Sequence, residues 1–564
     1  MEILKIENLN FTYPEQSDQA LKGITLNIHS GEFVVICGES GCGKTTLLRL
    51  LKRELSPHGE KQGKILYQGV DTTELDDRAA ACDIGYVMQN PDNQLVTDKV
   101  WHELAFGLEN QGLPTPVIRR KVGEIACFFG IDHMFRKENS LLSGGQKQLL
   151  NLASIMVMSP KILILDEPTA QLDPIAASEF ISTLVRINKE LGTTIILVEH
   201  RLEEVFSLAD RVAVMEEGRV LFFDTPWKVG KLLRDMKSPH KMLLGLPSAA
   251  RIYNGLNIED NCPITVREGR SFLTKHFTSL NSRRESQPNG GREENIPGAF
   301  PVLEIKNIWF RYERELPDIL EGVSLTAYKG DFISLLGGNG SGKTTLLKVI
   351  SNQVRAYKGS IKIFEKKLKN YKGNSLYKNT LALLPQNPQS LFLEPKLQED
   401  YQEVCSSMGY SDEEGKKQVK RISELLGISH LMDKNPYDLS GGEQQKAALG
   451  KILLQKPKII LLDEPTKGLD AYSKDVLSNI IRGLRKEGIT IIMVTHDLEF
   501  AAENSSGCAM IFDGGLSPIE KPVDFFSGNQ FYTTAANRIV RNLNPYLVTC
   551  DEIIEACRKE AGIN

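Results

Sequence analysis

Nowhere in this chain do 18 apolar residues follow one another without interruption, so no segment has the length and character of a membrane-spanning helix. The amino terminus, Met1-Glu2-Ile3-Leu4-Lys5-Ile6-Glu7, alternates and carries charge, unlike the basic start and apolar stretch of a secretory signal. If the protein works at a membrane, it does so through a partner. A basic field is missing too: 68 Lys and Arg against 72 Asp and Glu leave a net charge of −4, which argues against nucleic acid as a partner. The nine cysteines, Cys37, Cys42, Cys82, Cys127 and Cys405 among them, include no C-x-x-C pair and no metal-ligand spacing. Zinc and iron–sulfur sites are therefore not indicated, and free thiols in a reducing cytosol are expected.

What is present is an ordinary globular composition, 41% apolar and 25% charged, in 564 residues, and a long internal repeat. Lys44 and Lys343 are 299 apart, Gln89 and Gln386 are 297, Ser143 and Ser440 are 297, Asp166 and Asp463 are 297, and His200 and His496 are 296. A period of that size is a duplicated domain, whereas about 20 to 50 residues would indicate a solenoid. Each half is large enough to bury its own core. The first half opens with alternating strands from Ile3 to Tyr13 and Ile24 to Ile28. An apolar run then passes from Phe33 to Cys37 into glycines and a helix. Ile162 to Leu165 and Thr194 to Val198 are further short apolar runs flanked by helical stretches, which predicts a parallel α/β core. The second half repeats them at Phe332 to Leu336, Ile459 to Leu462 and Thr490 to Val494.

Gly38-Glu39-Ser40-Gly41-Cys42-Gly43-Lys44-Thr45 and Gly337-Gly338-Asn339-Gly340-Ser341-Gly342-Lys343-Thr344 both fit G-x-x-x-x-G-K-[ST]. The glycines let backbone N–H groups converge on phosphates, and the following helix turns its positive end toward them. Lys44 and Lys343 would neutralise phosphate charge, and the hydroxyls of Thr45 and Thr344 would ligate Mg²⁺. Each half also ends an apolar strand in two acids, Asp166-Glu167 and Asp463-Glu464, followed by Pro-Thr. The first acid of each pair belongs on the magnesium shell, and the second is placed to polarise the attacking water. Val-Glu-His200 and Val-Thr-His496 end the next strand.

Leu142-Ser143-Gly144-Gly145-Gln146 and Leu439-Ser440-Gly441-Gly442-Glu443 resemble the signature motif of the ATP-binding cassette (ABC) ATPases. The resemblance covers residues 2 to 230 and 302 to 520 and implies an α/β fold. Two phosphate-loop ATPase domains are expected, with parallel-sheet cores, antiparallel β subdomains and helical signature subdomains. It further implies a head-to-tail sandwich whose two composite sites bind ATP and Mg²⁺. One would join Gly38, Gly41, Gly43, Lys44, Thr45 and Thr46 with Ser440, Gly441, Gly442 and Glu443. The other would join Gly337, Gly340, Gly342, Lys343, Thr344 and Thr345 with Ser143, Gly144, Gly145 and Gln146. By the same resemblance Gln89 and Gln386 sense magnesium and the γ-phosphate, His200 and His496 contact the γ-phosphate, and Asp173 and Asp470 link the sites. Tyr13 and Tyr312, 299 apart, stand where the family stacks the adenine. Glu167, His200, Glu464 and His496 are all retained, so both sites are expected to hydrolyse ATP. Leu149, where many members carry a basic residue, is expected to weaken the coupling of its helix, and Glu443 replaces the commoner Gln. Cys42, beside Lys44 at a helix start, is expected to have a stabilised thiolate.

After Gln89 the chain runs Asn90-Pro91-Asp92-Asn93-Gln94-Leu95 and then Val100-Trp101-His102-Glu103-Leu104-Ala105-Phe106-Gly107-Leu108-Glu109-Asn110. Together with His200-Arg201-Leu202-Glu203-Glu204-Val205, this is similar to the ATPases of energy-coupling factor (ECF) importers of vitamins and metal ions. The resemblance implies a polytopic transmembrane coupling subunit and a substrate-binding membrane subunit as partners, and a peripheral position on the cytoplasmic face. The second half keeps Gln386-Asn387-Pro388 and diverges through Ser390-Leu391-Phe392, as two different coupling helices would require. Rival classes are the soluble twin-cassette ATPases of the ribosome, which carry a long charged arm or a cysteine-rich domain, and the fused ATPases of sugar importers. Expected boundaries are 1–235 for the first cassette, 236–277 for its extension, 278–300 for a flexible linker, 301–525 for the second cassette and 526–564 for a C-terminal appendage.

Overall fold

The computed structural model describes residues 1–14, 18–236, 240–278, 280 and 300–562. The chain forms two compact units, Met1–Thr265 and Val266–Asn564. All but residues 278, 280 and 300 of the expected linker lie outside the described residues.

In the first unit a six-stranded sheet runs in the order Arg219–Asp224, Arg211–Glu216, Phe33–Gly38, Thr194–Val198, Ile162–Asp166, Ile84–Val87. All its pairings are parallel except that of the edge strand Arg219–Asp224. Phe33–Gly38, Ile162–Asp166 and Thr194–Val198 are buried at every position. This is why they read as uninterrupted apolar runs: layers cover both faces of a parallel sheet. A four-stranded antiparallel sheet, Leu21–His29, Glu2–Thr12, Glu60–Tyr67, Val70–Asp71, forms a second layer. Between the sheets the helix Lys44–Leu51 buries Leu47, Leu48, Leu50 and Leu51 against Ile6, Phe11, Ile36 and Ile164. The helices Val100–Asn110, Thr115–Phe128 and Gly144–Met156 form the helical subdomain.

The second unit repeats the plan. Its six-stranded order is Leu381–Leu384, Ile459–Asp463, Thr490–Thr495, Phe332–Leu336, Gly507–Phe512, Gly515–Leu516, beside a four-stranded antiparallel sheet that begins at Pro301. On the other face of its central sheet, Leu397, Tyr401, Leu426 and Leu449 of the helical subdomain pack in one cluster with Phe332, Ile460 and Ile491.

The segment 236–277 does not stay together. Its last helix, Val266–His276, belongs to the second unit. There it buries Phe272 and Leu273, and Arg270 donates to the Arg538 carbonyl at 2.7 Å. Leu280 follows it into that unit, accepting from Asn544 at 2.8 Å. The part retained by the first unit includes the helix Ser248–Leu256. The C-terminal tail forms the helix Cys550–Glu560, which buries Ile553 and Cys557.

One buried ion pair of the second unit is not repeated at the matching residues of the first. Lys451 on the second signature helix reaches Asp400 at 2.5 Å and the Leu391 carbonyl at 2.6 Å, while Asp400 also accepts from Leu393 N at 3.1 Å. Asp400 is fully buried. At the matching places the first unit has Glu103, which accepts from the backbone of Val96 and Thr97, and Ser154 in place of the lysine. Asp400→Ala therefore leaves a buried ammonium without its carboxylate, and is expected to cost about 3–5 kcal/mol. Asp400→Leu with Lys451→Met should regain most of that, measured by urea unfolding through Trp309 in a Trp101→Phe/Trp227→Phe background.

Candidate functional site

Each phosphate loop leaves the strand Phe33–Gly38 or Phe332–Leu336 and enters a helix whose N-cap is a left-handed glycine, Gly43 (φ 98°) or Gly342 (φ 97°). A Cβ at Gly43 would meet the Ala20 carbonyl at 2.7 Å, and one at Gly342 the Ile319 carbonyl at 2.8 Å, so only glycine fits. Without a side chain these caps leave the first-turn N–H groups turned outward for an anion. Lys44 curls over its loop, donating to the carbonyls of Gly38 (2.9 Å) and Glu39 (2.8 Å), and Lys343 does the same to Gly337 and Gly338 at 2.9 Å.

The strand ends bring the acids to this loop. Thr45 Oγ1 donates to Asp166 at 3.2 Å, and Thr344 Oγ1 to Asp463 at 3.0 Å. These are pairs of hard oxygen donors of the kind that suits Mg²⁺. Burial pushes the Asp166 carboxyl above its ordinary range, and the neighbouring Glu167 adds to the effect. Burial likewise raises Asp463 to about 6, against the hydrogen bond from Thr344. The next residue of each strand, Glu167 (φ 46°) or Glu464 (φ 51°), is held in the left-handed region, which costs a non-glycine about 1–3 kcal/mol. Their backbone N–H groups are fixed by the Val198 and Val494 carbonyls at 3.0 and 2.9 Å. The twist aims each carboxylate at the histidine: His200 lies 2.8 Å from Glu167, and His496 lies 2.8 Å from Glu464. Gln89 donates to the other oxygen of Glu167 at 2.8 Å.

Tyr13 and Tyr312 also reach the loops. Their hydroxyls meet Thr46 at 2.9 Å and Thr345 at 3.4 Å, and their rings stand edge-on to Phe11 and Phe310 at 5.0 Å. Gly38, Gly41, Gly337 and Gly340 complete the two loops.

Ser143 and Ser440 begin the signature helices Gly144–Met156 and Gly441–Leu453, with Gly145 and Gly442 in their first turns. Each forms a capping box, with Gln146 in one and Glu443 in the other. Glu443 is thereby explained, since the third position of such a box takes either residue. Around Leu149 three other side chains tie the helix to the segment near Gln89. Lys147 pairs with Asp92 at 2.6 Å, Gln148 donates to the Met88 carbonyl at 3.2 Å, and Asn151 to the Pro91 carbonyl at 3.1 Å. Asp173 and Asp470 cap the helices Pro174–Leu191 and Ala471–Lys486, accepting from Ala176 N at 2.8 Å and Ser473 N at 2.6 Å. The expected thiolate at Cys42 is overturned: the thiol is buried, and burial raises it more than Lys44 lowers it.

Three groups escaped the motif analysis. Tyr86 donates to Asp166 at 3.1 Å and shares a hydrogen bond with Arg49. Leu383 and Lys348 occupy the matching places in the second unit. Glu199, beside His200, is fully buried among Thr169 N (3.2 Å), the Thr169 hydroxyl and His200 N (3.0 Å). Burial raises its carboxyl above the ordinary range. The signal for Glu199 was its mismatch with Thr495 in otherwise matching strand ends.

Such a constellation, present once in each unit, defines a phosphate-loop ATPase. The family model described as ABC transporter matches residues 21–170 and 320–467. A Bacillus thuringiensis subsp. konkukian chain named as an ABC transporter ATP-binding protein is 41% identical over 554 residues, 98% of each chain. One of the same name from Clostridium tetani is 34% identical over 441 residues, 78% of this chain and 95% of the relative. Among solved structures, cbiO1 of Clostridium perfringens, part of the ABC transporter complex cbiONQ, is 38% identical. It covers 45% of this chain and 98% of its own, with a TM-score of 0.38. The chain belongs to the ABC transporter family, as an ATP-binding subunit with two ATPase domains.

The raised Asp463 carboxyl has a consequence for stability. A carboxyl whose folded pKa is raised from 3.8 to about 6 stabilises the fold below about pH 4, and that contribution is lost as pH rises through 6. In the presence of EDTA the second unit should lose about 2.5 kcal/mol from this group between pH 4 and 7.5. Asp463→Asn should flatten that part of the pH profile, measured by urea unfolding across pH.

Proposed function

We propose that the chain is the ATP-hydrolysing energy-coupling subunit of an ECF-type importer of a vitamin or metal ion. It sits peripherally on the cytoplasmic face and acts on a polytopic coupling subunit joined to a substrate-binding membrane subunit. The observation that carries this reading is an apolar surface beside the segment that follows Gln89. Val96, Trp101 and Leu141 are 66%, 40% and 73% exposed. The chain stretches that bear them are tied together where Asn139 donates to the Thr97 carbonyl at 2.9 Å and its N–H to Asp98 at 2.8 Å. Leu393 and Tyr437, 76% and 54% exposed, stand at the corresponding part of the second unit. A helix end of a membrane protein is a partner of the right size and polarity. Among the described residues no helix is long and apolar enough to cross a membrane, so the partner would supply the spans.

In this reading the turned-out N–H groups of each loop, with Lys44 or Lys343, bind the phosphates, and Tyr13 or Tyr312 supports the base. Thr45, Asp166 and Gln89, and Thr344, Asp463 and Gln386, would hold Mg²⁺, which neutralises phosphate charge when bound. Glu167 and Glu464 take the proton of the attacking water as the bond from the γ-phosphorus to the bridging oxygen breaks, releasing ADP and phosphate. His200 and His496 orient the γ-phosphate and hold those carboxylates in place. Serines and glycines of the signatures, Ser143 to Gln146 and Ser440 to Glu443, add hydroxyl and N–H donors to phosphate.

Two tests follow. Trp101→Glu should abolish co-purification of a polytopic membrane protein from detergent extract while leaving ADP binding intact; ribosomal proteins in its place would defeat the importer reading. In the purified complex, Glu167→Gln and Glu464→Gln should each lower turnover at their own site about 10²- to 10⁴-fold. Steady-state ATPase should then persist in part in either single variant and vanish only in the double.

A further inference from the structure

The residue three places after each switch histidine makes the same contact in both units. Glu203, in the helix Leu202–Val205, accepts from Ser248 N at 2.7 Å and from the Ser248 hydroxyl at 3.0 Å. Ser248 is the first residue of the helix Ser248–Leu256, in the part of the extension kept by the first unit. Glu499, in the helix Leu498–Asn504, accepts from Ala535 N at 3.1 Å. Ala535 is the first residue of the helix Ala535–Val540, in the C-terminal appendage of the second unit. The two extensions differ in sequence, yet the chain brings a helix start to the same carboxylate each time. A carboxylate accepting from a helix-start N–H is a charge-assisted bond, stronger than a neutral one and further favoured by the helix dipole.

Each contact joins the segment after the histidine to a packed part of the extension. Ser248 and Ala535 are buried. In the second unit Phe525 and the appendage residues Phe526 and Val548 pack in one cluster with Ala501 and Ala502 of the helix that follows the histidine. In the first unit the extension takes further holds: His240 pairs with Glu216 at 3.0 Å, and Lys241 with Glu39 of the phosphate loop at 3.0 Å. The extension therefore touches both the loop that would cradle phosphate and the helix that follows the histidine. A histidine 2.8 Å from its glutamate has little freedom to drift before that contact is lost.

We propose that Glu203 and Glu499 are positioning residues, each tying the segment that bears the switch histidine to the C-terminal extension of its own unit, so that the extension sets where the histidine stands. The inference rests on the reading of His200 and His496 as γ-phosphate contacts. It makes the extensions part of the ATPase machinery rather than passive packing.

The test uses the full chain with its membrane partners. Glu203→Ala with Glu499→Ala should lower kcat about tenfold, the range that small misplacements of a reacting group produce. ADP affinity should stay unchanged, because ADP lacks the phosphate that the histidine reads. Glu203→Gln with Glu499→Gln keeps an acceptor oxygen and should recover most of the rate. Wild-type kcat in the alanine pair overturns the proposal. So does a loss of ADP affinity as large as the loss of kcat, which marks a purely structural role, or a glutamine pair as slow as the alanine pair. His200→Ala with His496→Ala is the parent control: if that variant keeps its rate, the histidine reading itself has failed, whatever the glutamates do.

Discussion

Two adjacent carboxylates at the end of a fully buried strand are the constraint on which each half of this protein depends. Asp166 and Glu167, like Asp463 and Glu464, sit where the central sheet is covered on both faces and water is scarce. Negative groups that close repel each other and lose hydration, and the upward displacement of Asp166 and Asp463 records that cost. The nearby donors, Thr45 and Tyr86 in one site and Thr344 in the other, offset only part of it. A site of this kind is poised to gain free energy from a cation and a polyphosphate, and so to couple their binding to its own shape.

The same constraint accounts for the strained glutamates. A strand continued in regular geometry would send the residue after the aspartate to the opposite face of the sheet. The left-handed turn at Glu167 and Glu464 re-aims the carboxylate toward the histidine of the neighbouring strand, and a backbone bond to Val198 or Val494 holds it there. Because the strain recurs at both positions, it belongs to the site. It pre-organises a base and its positioning partner at a modest cost, and the parallel sheet, which fixes the separation of the two strands, absorbs that cost.

The parts of the fold legible in the sequence are those where burial acts on both faces of a short run. Thr194–Val198 and Phe332–Leu336 stand out because every residue in them but Ser334 is apolar or β-branched and every one is buried. Glu60–Tyr67 gave no such signal, since it starts Glu-Lys-Gln-Gly-Lys and owes its place to pairing with Glu2–Thr12. The helix Val266–His276 was assigned to the wrong half for a related reason. Its amphipathic face says that it packs, but its partner, Ala535–Val540, lies more than 250 residues later in the sequence. In the site, the loops, acids and histidines were legible because their chemistry demands particular residues at fixed spacings. Tyr86, Arg49 and the Asp400–Lys451 pair were not, because they come together only through the fold.

Comparison of the two halves separates what ATP chemistry requires from what each half has added. The lysines, the threonine–aspartate pairs and the glutamate–histidine contacts recur at nearly the same distances, although His200 meets its glutamate through Nε2 and His496 through Nδ1. Around that shared frame the supports diverge. Asp166 has a phenol and a guanidinium close by, where Asp463 has Leu383 and Lys348 at the matching places. The strand end before His200 carries a buried Glu199 bonded to Thr169, where Thr495 precedes His496. These differences lie one layer behind the reacting groups, where they alter charge and stiffness without removing a catalytic group. Duplication followed by divergence of that layer leaves two sites with the same reacting groups in unequal settings.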